Sequence, residues 1–89
     1  MPTRYAVEFT EAARRELREL PKDVQRRIAR AIDALASDPF QPRTRKLEGL
    51  AGLYRYRVGD YRMVFQVDRD KLRMLVIRVG HRSTVYRRL

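Results

Sequence analysis

"LYRYRVGDYRMVFQVDRDKLRMLVIRVG", residues 53–80, decides the fold. It divides into three short apolar-rich runs, 53–58, 61–67 and 72–79, parted by Gly59-Asp60 and by Asp68-Arg69-Asp70. Runs of this length, rich in Val, Ile, Tyr and Phe and bounded by Gly and Asp, are strands. Two residues, glycine first, suit a tight hairpin turn between antiparallel strands. Alternation then sorts the side chains. Tyr54, Tyr56 and Val58 share one face of the first run, and Arg55 and Arg57 share the other. In the second run Tyr61, Met63, Phe65 and Val67 form the apolar set, with Arg62, Val64 and Gln66 opposite. The third run, LRMLVIRV, is apolar on both faces, which predicts a central strand covered on both sides. Gly80 ends it. The tail 81–89 has room for one more short strand at 84–87.

Upstream, the period changes from 2 to 3.6. Residues 4–9, RYAVEF, read as a first strand. Thr10 is placed to cap a helix over 11–20, with Glu11 in the first turn and Ala13, Leu17 and Leu20 on one stripe. Pro21 interrupts and opens a second helix over 22–36. There Val24, Ile28, Ala31, Ile32 and Leu35 make an apolar stripe, and Arg26, Arg27, Arg30 and Asp33 fall outside it. Ser37-Asp38-Pro39 stops the helix, and 39–52 reads as a loop. Together these elements predict an α+β fold. An N-terminal strand and an α-helical hairpin precede a mostly antiparallel sheet of three to four strands, with the helices packed on one face.

Eighty-nine residues bound this to a single domain, 1–89, with a modest core. Without cysteine there is no disulfide framework and no thiolate metal site. The opening residues carry no signal-peptide run, and no stretch is long and apolar enough for a membrane span, so a cytoplasmic protein without membrane contact is expected. The formal net charge is +10, and its placement is uneven. Residues 1–42 carry 8 Lys/Arg against 7 Asp/Glu, whereas residues 43–89 carry 13 against 4. A polycationic half implies a polyanionic partner, most often nucleic acid, against the alternatives of an acidic protein or an unspecific basic surface.

The chemistry concentrates on that half. Pairing across Gly59-Asp60 sets Arg57 beside Arg62, and like charges there cost a hairpin roughly 0.2–1 kcal/mol. Phosphate is the natural counter-ligand, because guanidinium binds it bidentately and keeps its charge. The plainer alternative is that each arginine lies over the sheet or pairs with a carboxylate. Arg78, His81, Arg82, Tyr86, Arg87 and Arg88 form a second group, at the end of the last strand and in the tail. His81 is the sole histidine, and imidazole is the side chain suited to proton exchange near neutral pH. No carboxylate pair stands at ligand spacing near the arginines, so no metal and no cofactor is expected.

The ordered succession "RKLEGLAGLYRYRVGDYRMVFQVDRDKLRMLVIRVGHRSTVY", residues 45–86, resembles the RelE/ParE toxin superfamily, and its RelE branch in particular. The carrying pattern is K-L-x-G-L, a strand with two basic residues, G-D-Y-R, and an apolar strand ending V-G-H-R-x-x-V-Y. The N-terminal half agrees, with "F…A…L..LP….I…I..L..DP" across 9–39. The resemblance implies the toxin of a type II toxin–antitoxin module, an mRNA interferase that cuts mRNA in the ribosomal A site. It implies attack of a ribose 2′-OH on the adjacent phosphate, without metal. It also implies an acidic cognate antitoxin wrapped around a toxin that is monomeric when alone. By position, the resemblance assigns the basic strand pair to Arg55 and Arg57, the phosphate-binding arginine to Arg62, and the terminal pair to Arg82 and Tyr86. The catalytic set is then Arg57, Arg62, His81, Arg82 and Tyr86, and the RNA-binding set is Arg43, Arg45, Lys46, Arg55 and Arg78. The family often has lysines where Arg55 and Arg57 stand, one of them as general base. Arginine is a poor proton acceptor at neutral pH, so His81 is expected to take the 2′-OH proton. A ParE-like toxin acting on DNA gyrase and an inactive basic module are the alternative readings.

Overall fold

The structure, a computed structural model, describes residues 4–49 and 52–85. Strand β1 (Ala6–Phe9) leads into helices α1 (Glu11–Glu19) and α2 (Lys22–Ser37). Strands β2 (Arg45–Lys46), β3 (Leu53–Val58), β4 (Tyr61–Asp68) and β5 (Arg73–His81) follow. The five strands form one sheet in the order β1-β5-β4-β3-β2, parallel between β1 and β5 and antiparallel elsewhere.

The helix ends follow their local chemistry. Thr10 accepts from Ala13 N at 3.0 Å, satisfying one unpaired amide of the first turn of α1. Leu20 and Pro21 divide the helices, and the Gln25 side chain ties them by donating to Leu20 O at 2.9 Å. Beyond α2, Asp38 turns extended ahead of Pro39.

The core lies between the helices and one sheet face. Ala13, Val24, Ile28 and Leu35 from the helices meet Met63, Phe65, Met74, Val76 and Val79 from β4 and β5. Tyr54, Tyr56, Val58, Tyr61 and Val67 pack around this cluster, as alternation requires. An aromatic series continues outward: Phe65 stacks on Tyr54 at 6.0 Å, and Tyr54 meets the edge of Phe40 at 5.2 Å. Phe40 thereby fastens the loop that carries Arg43 and Arg45. Arg69 lies over the outer side of the same ring, 4.3 Å from its centroid.

Four details depart from the sequence reading. The sheet has five strands, because Arg45 and Lys46, inside the expected loop, pair with Arg55 and Tyr54 at the edge. Arg4 and Tyr5 lie outside β1, and Tyr5 N instead donates to Ala36 O of α2. The strand expected at 84–87 is absent from the described residues: Thr84 lies in a turn and Val85 in a 3₁₀ turn, whereas 86–87 lie outside them. The turn folds Val85 back, buried, against Gly80. Finally, β5 is interior to the sheet but not buried on both faces. The helices cover one face, and Leu75 on the other is half-buried.

A bulge completes β5. Val64 pairs with Arg78 and Phe65 with Val76, so Ile77 is an extra residue without a register partner. The phase of alternation shifts there, from Met74 and Val76 in the core to Val79. Strand β1 ends at the same level, and side chains from the start of α1 continue the pairing. Thr10 Oγ1 donates to Ile77 O at 2.8 Å, and Glu16 Oε1 accepts from Val79 N at 3.0 Å.

Candidate nucleic-acid interface

The β3–β4 hairpin positions the charged surface. Arg57 stands directly opposite Arg62, and Arg55 directly opposite Arg45 of β2. These residues share the sheet face turned away from the helices, because their neighbours Tyr54, Tyr56 and Met63 fill the core. Gly59 makes the hairpin turn at φ +61, the left-handed value that glycine adopts without strain. Its carbonyl oxygen accepts from both facing arginines, from Arg57 Nε at 3.0 Å and from Arg62 Nη1 at 3.3 Å. Arg62 also donates to Tyr61 O at 3.3 Å, which holds its half-buried side chain along the strand.

These residues border a cleft of about 640 Å³. The described residues that line it are Arg27, Arg43, Arg45, Arg55, Arg57 and Arg62, with Gly59. No described carboxylate answers them. The two ion pairs among the described residues, Arg78 with Glu16 at 3.0 Å and Arg4 with Asp33, both lie outside the cleft. Arg45 is braced by the carbonyls of Pro42 and Thr44. Arg43 is exposed in the loop. Six guanidiniums facing one cavity repel one another in any protonation state available near neutral pH. An anion with several oxygens relieves that repulsion and satisfies donors that otherwise face water.

The structure therefore brings together five residues expected from the sequence: Arg43, Arg45, Arg55, Arg57 and Arg62. The others are placed elsewhere. Lys46, one residue from Arg45, pairs with Tyr54 and points to the opposite face. Arg78 is half-buried against Glu16 of α1. His81 and Arg82 border the same turn from the β5 side: His81 pairs with Tyr61, and Arg82 N donates to Asp60 O at 2.9 Å. The exposed His81 ring meets Tyr61 edge-on at 5.7 Å. Its Nδ1 is 2.8 Å from Ser83 Oγ and 3.2 Å from Ser83 N. Tyr86 lies outside the described residues. Arg27 was missing from the expected set. Its signal in the sequence is the group Arg26, Arg27 and Arg30 on the polar side of α2. No pattern along the chain reveals which loop that side will face.

Known proteins resemble this chain along nearly its whole length. Residues 7–86 match the family described as ParE toxin of type II toxin–antitoxin system, parDE. Toxin RelG of Mycobacterium tuberculosis is 33% identical over 85 residues, covering 94% of this chain and 98% of that protein. A putative RelE-like toxin protein of Escherichia coli is 34% identical over 87 residues, covering 93% and 90%. Among solved structures, the toxin–antitoxin complex RelBE2 of M. tuberculosis superimposes with a TM-score of 0.81 at 29% identity, covering 93% of this chain and 97% of the matched one. The isolated E. coli RelE toxin superimposes with a TM-score of 0.77 at 28% identity, covering 86% and 83%.

Proposed function

Because the chain belongs to the ParE toxin family of type II toxin–antitoxin systems, we propose that it is a RelE-type toxin that cleaves mRNA on the ribosome. The observation that carries this reading is the cleft in which Arg57 faces Arg62 across the hairpin, with no carboxylate among its described lining residues. A surface of that kind fits a backbone phosphate and the extra negative charge that develops when it is attacked. The names of its relatives, RelE and RelG, favour the RNA-cleaving branch over a toxin acting on gyrase.

In the proposed reaction the ribose 2′-oxygen bonds to the adjacent phosphorus and the P–O5′ bond breaks. The products are a 2′,3′-cyclic phosphate and a 5′-OH, the leaving 5′-oxygen taking its proton from water. Arg57 and Arg62 stabilise the pentacoordinate phosphorus, and Arg43, Arg45 and Arg55 hold the flanking strand. His81 takes the 2′-OH proton. Ser83 N donates to Nδ1 at 3.2 Å, so the neutral ring carries its lone pair at Nδ1, and Nδ1 is the atom that takes that proton. Arg82 and Tyr86 join the set by resemblance. The partners are the ribosome with its mRNA, in the cytoplasm, and a cognate antitoxin. RelB–RelE complexes among the solved structures support that last assignment.

Programmed ribosomes with mapped mRNA ends test the reading. A-site cuts are expected, lost in Arg62→Ala and slowed in His81→Ala with an altered pH profile. Absence of cuts together with inhibition of DNA gyrase would place the protein in the other branch. An unchanged pH profile in His81→Ala would remove the histidine from the mechanism.

A further inference from the structure

The cleft does not stop at the sheet. A second cavity, of about 230 Å³, opens on the other side of the Gly59 turn. It shares Arg27, Arg43, Arg57 and Gly59 with the first, and adds Arg30 from the next turn of α2. Arg27 and Arg30, three residues apart, lie side by side on the helix. Both cavities border the bare Cα of Gly59. A Cβ there would lie 2.7 Å from Arg27 Nη2 and 3.3 Å from Nη1, so glycine is what lets this guanidinium lie against the hairpin turn. None of these arginines has a carboxylate partner among the described residues. The cationic surface thus runs unbroken from the outer face of the sheet, over the turn, onto α2.

We propose that α2 contributes a second phosphate site, in which Arg27 and Arg30, with Arg43, hold the phosphate next along the RNA strand from the one held by Arg57 and Arg62. The inference rests on the reading of the sheet cleft as an RNA surface. It gives the strand a direction across the molecule: over the β3–β4 turn towards the helices, and away from β1. Single-stranded RNA suits such a bent path better than a duplex, because its backbone can follow a curved groove.

The test is the salt dependence of single-stranded RNA binding to the intact chain, measured by fluorescence polarisation with a dodecanucleotide. Three double variants are compared: Arg27→Ala/Arg30→Ala, Arg57→Ala/Arg62→Ala, and Arg14→Ala/Arg15→Ala on the exposed face of α1 as a control of equal charge. Each phosphate contact on a single strand contributes about 0.7 to the slope of log affinity against log salt. The α2 variant should lose about 0.7 of slope relative to the α1 control. It should bind a dinucleotide, which has one bridging phosphate, as the wild type does. Equal slopes for the α2 and α1 variants, with slope lost in Arg57→Ala/Arg62→Ala, would overturn the second site and leave the sheet cleft standing. Salt-insensitive binding by the wild type would overturn both. Retained RNA binding in the α2 variant with weakened capture of an acidic peptide would reassign the α2 surface to a protein partner and overturn the proposal.

Discussion

Arg57→Gln should make the protein more stable and less active, and the two signs together test the assignment of the cleft. Arg57 is exposed and stands directly opposite Arg62, with Arg27, Arg43, Arg45 and Arg55 around the same cavity. One cross-strand pair of like charges costs about 0.2–1 kcal/mol. The bond that Arg57 gives to the Gly59 carbonyl is duplicated by Arg62 Nη1, so its loss leaves that oxygen with a partner. The net change is then a gain of about 0.2–1 kcal/mol. In a domain of this size 1 kcal/mol moves Tm by about 4–8 °C, so a rise of roughly 1–8 °C is expected in low salt. The gain should shrink near 1 M NaCl, where the screening length falls to about 3 Å. Cleavage should fall by about 10²–10³-fold, the effect of removing one electrostatic donor from a developing oxyanion. Calorimetric melts at two salt concentrations, with end-mapped cleavage on programmed ribosomes, read both quantities. A lower Tm that persists in high salt would show that Arg57 serves the fold. An unchanged cleavage rate would show that the cleft does not hold the scissile phosphate.

Other perturbations separate fold from site. Glu16→Ala removes the acceptor of Val79 N and the ion partner of Arg78, and should cost about 1–3 kcal/mol in urea unfolding. Glu16→Gln, which keeps one acceptor oxygen, should cost less. Gly59→Ala places a Cβ at φ +61 and pushes Arg27 aside; about 1–2 kcal/mol of stability should be lost, together with part of the salt slope of RNA binding. Phe65→Ala empties the fully buried position beneath Tyr54 and should cost about 3–5 kcal/mol. That is a large share of a small domain's stability, so its denaturant midpoint should drop steeply.

The two helices, the hairpin and the faces of β3 and β4 were legible because each is a local matter of period and turn chemistry. Val24, Ile28 and Leu35 declare a buried helix face at 3.6 spacing, and Gly59-Asp60 declares the turn. Strand β2 was not legible: two charged residues show no period, and only the edge of β3 makes them a strand. The bulge at Ile77 was hidden for a similar reason. It follows from β1 ending at Phe9 and from Thr10 and Glu16 supplying the next bonds, all events more than 60 residues away in the chain.

The same division holds for the site. The sequence by itself determined the sign of the surface, the arginines of the hairpin, and the pairing of Arg57 with Arg62, because strand alternation and a two-residue turn leave one arrangement. Tertiary structure decided which other arginines join them. It separated Lys46 from Arg45 by the strand's alternating faces, gave Arg78 to Glu16, and set His81 and Arg82 beside the turn on the β5 side. It brought in Arg27, whose distance along the chain conceals that α2 passes over Gly59. Charge is a property of residues, whereas a binding cleft is a property of which residues packing brings face to face.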